Sequence, residues 1–320
     1  FSDRGVTYAL RAYQIAEGSR ASRGTPIVQM LPIPKEEAIT SVLAVREFTD
    51  EDYLVMLTQG GFVKKTALSA FGNIRTNGLI AISLEEGDQL KWVRLARNTD
   101  SILIGSRRGM TIHFKADDDQ LRPLGRPTRG VRSMSLRDGD ELISMDILPS
   151  QVVEAVLQAN EASDDDDDEE TVSGGTEGGP WVLVITATGL GKRVPVAKFR
   201  LQNRAGLGLM AIKFRKGDDT LAALLVVGEG DELMLVTNRG IIIRQRVDDI
   251  SIQSRPATGV RLQRLDDDDA IAAVAVVPPA LQEDDDEDED DAADIVVEAA
   301  AEAVAEVFPE ASPTVANEEE

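Results

Sequence analysis

Arginine stands three or four residues before a glycine at Arg20, Arg75, Arg126, Arg204 and Arg255, the glycines being Gly24, Gly78, Gly130, Gly208 and Gly259. Several of these arginines have company: Arg23 beside Arg20, Arg129 and Arg132 beside Arg126, and Arg261 beyond Arg255. A second series of glycines, Gly5, Gly61, Gly109, Gly189 and Gly240, has its own cations close by: Lys64, Lys65, Arg107, Arg108, Lys192, Arg193, Arg239 and Arg244. Guanidinium and ammonium groups keep their charge at neutral pH and offer only donors, so their natural partner is an anion. A set placed at one position of each repeat can line up along a polyanion and displace its counterions. Any one of these charges reads equally as a solvated turn residue. It is the shared position that points to a shared phosphate-facing role.

Catalytic chemistry finds less support. There is no cysteine, which excludes disulfides, thiol catalysis and cysteine-ligated zinc. The single histidine, His113, lies in the alternating pattern GMTIHFK and reads as a strand residue with no partner for a metal site. Tyr8, Tyr13 and Tyr53 lie in strand patterns and read as packing residues. The GLGKR stretch at Gly189–Arg193 lacks the spacing and following helix of a phosphate-binding loop and reads as a hairpin turn.

What would position the cations is a repeat. A turn followed by an alternating strand begins at Phe1, Leu57, Gly105, Ile185 and Val236, and the first-series glycines are 56, 48, 80 and 51 residues apart. The interval of 80 contains an insert of about 30 acidic and glycine-rich residues, and without it the period returns to about 50. Each unit has the wherewithal for about four strands. Two of these are nearly continuous apolar runs, such as YLVMLT and ELMLVT, as expected of strands buried on both faces. Polar-glycine pairs mark hairpin turns, because glycine enters positive φ without a Cβ penalty. Helical periodicity is scarce before residue 282. The fold class expected is all-β, a propeller-like arrangement of four-stranded repeats. The boundaries expected are about 1–52, 53–100, 101–150, 181–230 and 231–281, with an acidic disordered insert at 151–180 and an acidic tail at 282–320.

Charge follows the same division. The chain carries −23 overall, but residues 282–320 hold 17 acids and residues 150–180 hold ten, with no lysine or arginine in either. The remainder is mildly basic, at +4. Like charges this dense repel one another and stay unfolded. No apolar run approaches the ~20 residues of a membrane span and no signal peptide is visible, so no membrane partner and a cytoplasmic location are expected. The chain starts at Phe1 within a strand pattern, without an initiator methionine, and reads as a fragment.

At this point the residues carry a resemblance. SDRGVTYALRAYQI, ASRGTPIVQMLPI, TQGGFVKKTALSAF, RTNGLIAISL, PTRGVRSMSL and ISIQSRPATGVRLQRL, in this order and followed by an acidic tail, are similar to the C-terminal domain of the DNA gyrase A-subunit family over nearly all of residues 1–281. The resemblance implies a six-bladed β-pinwheel, a propeller variant whose blades exchange strands with their neighbours. It implies a rim that binds and bends duplex DNA, so that an ATP-driven type II topoisomerase introduces negative supercoils. The partners it implies are duplex DNA, the N-terminal region of the gyrase A protein, and the gyrase B protein, in a heterotetramer of two A and two B subunits. Catalytic residues, ATP and magnesium would all lie elsewhere in that assembly, leaving no catalytic residue, metal or cofactor in this chain.

There are two departures from the family pattern. Five repeats are legible instead of six, and the family's signature box, Gln-Arg-Arg-Gly-Gly-Lys/Arg-Gly, is absent. The expectation is that the first blade lies upstream of Phe1. The C-terminal domain of the topoisomerase IV A subunit, which lacks the box, is the alternative within the superfamily. A protein-interaction propeller and a propeller enzyme are the alternatives outside it, but aromatics make up only 4% and the strand starts are apolar. The acidic segments read either as solubilising linkers or as competitors with DNA for the basic rim.

Overall fold

The computed structural model describes residues 1–16, 24–152, 154, 179–215, 217, 219–266 and 268–279. The expected acidic insert and tail therefore lie almost wholly outside the described residues, as do Arg20 and Arg23. In chain order the strands are Val6–Thr7 (β1), Tyr53–Thr58 (β2), Phe62–Ala67 (β3), Leu79–Ile80 (β4), Leu90–Ala96 (β5), Ser101–Ser106 (β6), Met110–Lys115 (β7), Val131–Arg132 (β8) and Leu142–Leu148 (β9). They continue as Trp181–Thr186 (β10), Leu190–Pro195 (β11), Leu209–Met210 (β12), Leu221–Val227 (β13), Glu232–Thr237 (β14), Ile242–Arg246 (β15), Val260–Arg261 (β16) and Ile271–Val277 (β17). The helical segments that begin and end among the described residues are single turns of three or four residues, and the all-β class is observed.

The sheets run β5-β2-β3-β8, β12-β7-β6-β9 and β13-β10-β11-β16, all antiparallel. Three strands of each sheet come from one repeat, and the fourth, a two-residue strand, comes from the next. β8 lies on β3 with Phe62 opposite Arg132, β12 lies on β7 with Met110 opposite Met210, and β16 lies on β11 with Leu190 opposite Arg261. The same exchange carries β4 onto β1. Among the described residues the last sheet, β15-β14-β17, has only three strands.

The first strand of each hairpin sits at the centre of its sheet, which explains its uninterrupted apolar sequence. Successive side chains on a strand point to opposite faces. Val55 and Leu57 of β2 join Ile102, Ile104 and Phe114 in one core cluster, whereas Leu54 and Met56 join Ile82, Leu90 and Phe71 in another. Likewise Val182 and Val184 of β10 face the preceding sheet's Leu103 and Leu148, while Leu183 and Ile185 face Leu233 and Leu235 of the next. The cores thus lie between consecutive sheets, and each central strand serves two of them.

Nine of the ten glycines of the two series adopt φ between 77° and 93°; Gly24 is not in the left-handed region. After Gly24 the chain forms a short helical turn, Ile27–Met30, instead of an exchanged strand. At Gly130 and Gly208 a Cβ would also collide with a backbone carbonyl of the strand being joined, that of Val63 and Thr111 respectively. Only glycine lets the exchanged strand start so close to its host. Gly208→Ala is therefore expected to cost about 1–3 kcal/mol, whereas Gly125→Ala, whose Cβ would meet nothing within 4 Å, should stay within about 0.5 kcal/mol. Urea unfolding of the two variants checks this; equal midpoints would refute it.

Candidate nucleic-acid interface

The structure divides the sequence-predicted cations into three groups. Lys64, Lys65, Lys192 and Arg193 were placed by sequence among exposed turn charges, and this is corrected. They lie inside β3 and β11; the three lysines are 0% exposed and Arg193 is 7% exposed. Alternation on the strand turns each toward a neighbouring segment, where it is held by oxygen atoms. Lys65 Nζ donates to the Ala116 carbonyl at 2.6 Å, Asn98 Oδ1 and Asp118 Oδ1, and lies 4.7 Å from the centre of the Tyr53 ring. Arg193 Nε donates to the Ile250 carbonyl at 2.7 Å, its Nη1 pairs with Asp248, and its guanidinium stacks on Trp181. Among the described residues Lys64 and Lys192 donate only to backbone carbonyls.

The position four residues after the hairpin glycine holds Lys65, His113 and Arg193 in successive repeats. In each case the side chain crosses to the following repeat: Lys65 to Ala116, His113 Nδ1 to the Phe199 carbonyl at 2.7 Å, and Arg193 to Ile250. His113 Nδ1 must be the donor there, since a carbonyl only accepts, so Nε2 accepts from Ser101 Oγ at 2.6 Å. His113 is indeed a strand residue, buried and neutral. These are ties between blades that alternate among three donor side chains, which is why the repeat is hard to see in sequence at that position.

A second group is half-buried and braces neighbouring loops. Arg126 Nη1 donates to the Ala70 carbonyl, Arg204 to the carbonyls of Gln120 and Arg132, and Arg255 Nη1 to that of Met210. At these three positions the arginine ahead of the second glycine is thus first of all a connector between repeats. The third group is exposed: Arg75, Arg107, Arg108, Arg129, Arg132, Arg239, Arg244 and Arg261. Arg107 pairs with Glu141, Arg129 with Glu85, Arg239 with Asp266 and Arg244 with Glu232. Arg75, Arg108, Arg132 and Arg261 make no ion pair among the described residues.

Arg132 and Arg261 occupy the exchanged strands β8 and β16, the end strands of their sheets. Arg129 and Arg132 lie 4.6 Å and 5.7 Å from the centre of the Phe62 ring, so cation–π attraction holds both guanidinium groups at the outer edge of one sheet. Phe62 escaped the sequence reading; its only signal is its place directly after Gly61. Tyr13 was read as a packing residue but is 84% exposed, beyond the end of β1. No cluster of metal-binding side chains is found among the described residues, and no helix there is long and apolar enough to cross a membrane.

A sequence profile of the family described as DNA gyrase C-terminal domain, beta-propeller, matches residues 1–46, 52–97, 100–149, 180–227 and 231–278. The chain belongs to this family. The DNA gyrase A subunit of Synechocystis is 64% identical over 270 residues, a match covering 83% of this chain and 31% of that protein. The chloroplastic/mitochondrial DNA gyrase A subunit of Arabidopsis thaliana is 42% identical over 274 residues, covering 83% of this chain and 28% of that one. The chain thus spans less than a third of the length of these relatives. Among solved structures, the C-terminal domain of DNA topoisomerase IV aligns with a TM-score of 0.71 at 20% identity, over 87% of this chain and 77% of that one. The DNA gyrase A C-terminal domain aligns with a TM-score of 0.66 at 22% identity, over 87% and 80%. Both share the fold, which is the β-pinwheel.

Two outcomes follow from the division of the cations. Lys65→Met leaves the Ala116 carbonyl without its buried donor and is expected to cost roughly 1–3 kcal/mol, whereas Arg132→Ala should stay within about 0.5 kcal/mol; urea unfolding measures both. Burial holds the His113 pKa below its ordinary value of 6.5, against the opposing pull of the Phe199 carbonyl. The unfolded chain then binds a proton that the folded chain refuses. The stability His113 contributes is present above about pH 6.5 and is lost as pH falls below it. Wild-type protein should lose more stability between pH 7.5 and 5.5 than His113→Gln; parallel losses would contradict this.

Proposed function

We propose that this chain is the DNA-binding and DNA-wrapping part of a DNA gyrase A subunit. In this reading duplex DNA follows the exchanged-strand edges of successive blades and is bent by them. With the rest of the A protein and with the B protein, in a heterotetramer of two copies of each, ATP-dependent strand passage then introduces negative supercoils. ATP and magnesium act elsewhere in that assembly. The observation that carries the reading is the set of exposed arginines that make no ion pair among the described residues, Arg75, Arg108, Arg132 and Arg261, at the edge strands and turns of a chain from the gyrase C-terminal domain family.

The physics is that of backbone binding. Each phosphate neutralised releases counterions, so affinity falls with salt by a slope of roughly 0.9 per contact. Contacts of this kind carry no sequence information, and sites are selected by how easily they bend. Bending a short duplex costs on the order of 1–6 kcal/mol, which contacts repeated on several blades must offset. The acidic segments bear on this through charge: the mildly basic remainder, at +4, faces 27 acids elsewhere in the same chain.

Replacing Arg75, Arg108, Arg132 and Arg261 together by alanine is expected to lower the salt slope of duplex binding by up to about one unit per arginine while leaving the urea midpoint nearly unchanged. Fluorescence anisotropy across a salt series reads this; an unchanged slope would remove these residues from the interface. Religation of a nicked plasmid in the presence of the chain tests wrapping itself. A positive linking-number shift is the expected result, and salt-sensitive binding without a shift would reduce the function to binding.

A further inference from the structure

We propose that Lys64 and Lys192 are positioning residues for DNA contact, each fixing from beneath, through a cage of backbone carbonyls, the arginine-bearing loop of the following repeat that leads into the exchanged strand. The proposal rests on the DNA-binding reading above. Lys64 Nζ reaches the carbonyls of Gly125, at 3.2 Å, Arg126, and Thr128, at 3.3 Å, together with that of Ala81. Lys192 Nζ reaches the carbonyls of Ser254, at 2.8 Å, Arg255, and Ala257, at 2.7 Å. Gly125, Arg126 and Thr128 stand five, four and two residues before Gly130, and Ser254, Arg255 and Ala257 stand five, four and two before Gly259. Two repeats thus place the same three carbonyls around the same lysine, each time from a neighbouring repeat.

An ammonium group has three N–H donors and no acceptor. Three carbonyls of one loop use them in full at Lys192, and no carboxylate among the described residues takes part in either cage. Holding three carbonyls of the loop on one ammonium fixes the backbone from which its arginines spring. Those are Arg126, half-buried and bonded to the Ala70 carbonyl, and exposed Arg129 in the loop over Lys64, and Arg255, half-buried and bonded to the Met210 carbonyl, in the loop over Lys192; Arg129 leads on to Arg132 and their shared contact with Phe62. Each cage also sits under its exchanged strand. A Cβ on Gly130 would meet Lys64 Cβ at 3.0 Å, and one on Gly259 would meet the Gly191 carbonyl oxygen at 2.8 Å. Burial, with the nearby charge of Arg126, pushes the Lys64 pKa down to about 8, and burial with that of Arg255 pushes the Lys192 pKa down to about 7. A caged, desolvated ammonium is a poor ligand for an external phosphate, so its part in DNA binding is exerted through the loop.

The test uses the full chain with Lys64→Met and Lys192→Met made separately, so that one remains informative if the other does not fold. The chain has no cysteine. Lys64→Cys or Lys192→Cys can therefore be alkylated uniquely with 2-bromoethylamine in urea and refolded, which restores an ammonium on a side chain of lysine length. Amide hydrogen exchange and duplex affinity are then read on the same samples. The expected result is faster exchange confined to residues 124–130 for Lys64→Met, and to 253–259 for Lys192→Met. At least a fivefold loss of duplex affinity should accompany it, and both effects should be reversed by the aminoethylated cysteine. Loosened loops with wild-type DNA affinity would overturn the positioning role and leave the lysines purely structural. Unchanged exchange in the loops would overturn the cage. If the wild-type chain shows no salt-dependent DNA binding, the DNA reading itself fails, an outcome read from the unmutated protein and so distinct from the other two.

Discussion

The structure depends on one unmet need that is repeated along the chain. A β-hairpin packed into a sheet leaves the outer edge of its second strand with unpaired N–H and C=O groups, which must find partners or face water. Here the following repeat supplies them with a strand two residues long. No blade is complete on its own, and cohesion passes from neighbour to neighbour. The last hairpin shows what the exchange contributes. Among the described residues β15 has only β14 beside it, and its residues are partly or fully exposed, whereas the equivalent β3, β7 and β11 are mostly buried.

The exchange brings buried cations with it. Taking a charge out of water is costly unless hydrogen bonds and opposite charges replace hydration. Lys65 and Arg193 have a carbonyl, an acid and an aromatic ring each; Lys64 and Lys192 have carbonyls alone. For Lys65 burial outweighs the attraction of Asp118 and its pKa is lowered, while Asp118, at the surface, is held below the usual carboxylate range by its bond to Lys65. Where His113 takes the same position the tie is kept without a charge. The requirement is a donor long enough to cross to the next repeat, not a cation as such.

Structure and charge therefore share one residue type. Arginine and lysine near the turns divide into those that close the gap between repeats and those that point away from it. The half-buried arginines stand between: Arg204 spends Nε and Nη1 on carbonyls and is only partly covered. Membership of the gyrase C-terminal domain family rests on five matched segments in order, each covering one repeat's share of strands. The fold that results places its exchanged strands at the ends of the sheets, where Arg132 and Arg261 are exposed.

The amino-acid sequence by itself determined the strand content, the period and the places where turns reverse. Short uninterrupted apolar runs rich in β-branched residues, such as WVLVIT, suit a strand buried on both faces, and glycines such as Gly61 and Gly130 stand where the chain turns with positive φ. These are local properties, and they are legible one segment at a time. What only the tertiary structure decided is which of the cations face water. Lys64 and Arg108 each lie within three residues of a hairpin glycine, yet one is wholly enclosed and the other exposed. The difference comes from partners 60 or so residues away, Arg126 and Thr128 for Lys64, and a charge near a turn carries no mark of what a distant loop will place over it. Gly24 shows the same limit from the other side. Its flanking sequence repeats the pattern, but among the described residues no preceding strand receives the segment after it, and a helical turn forms instead.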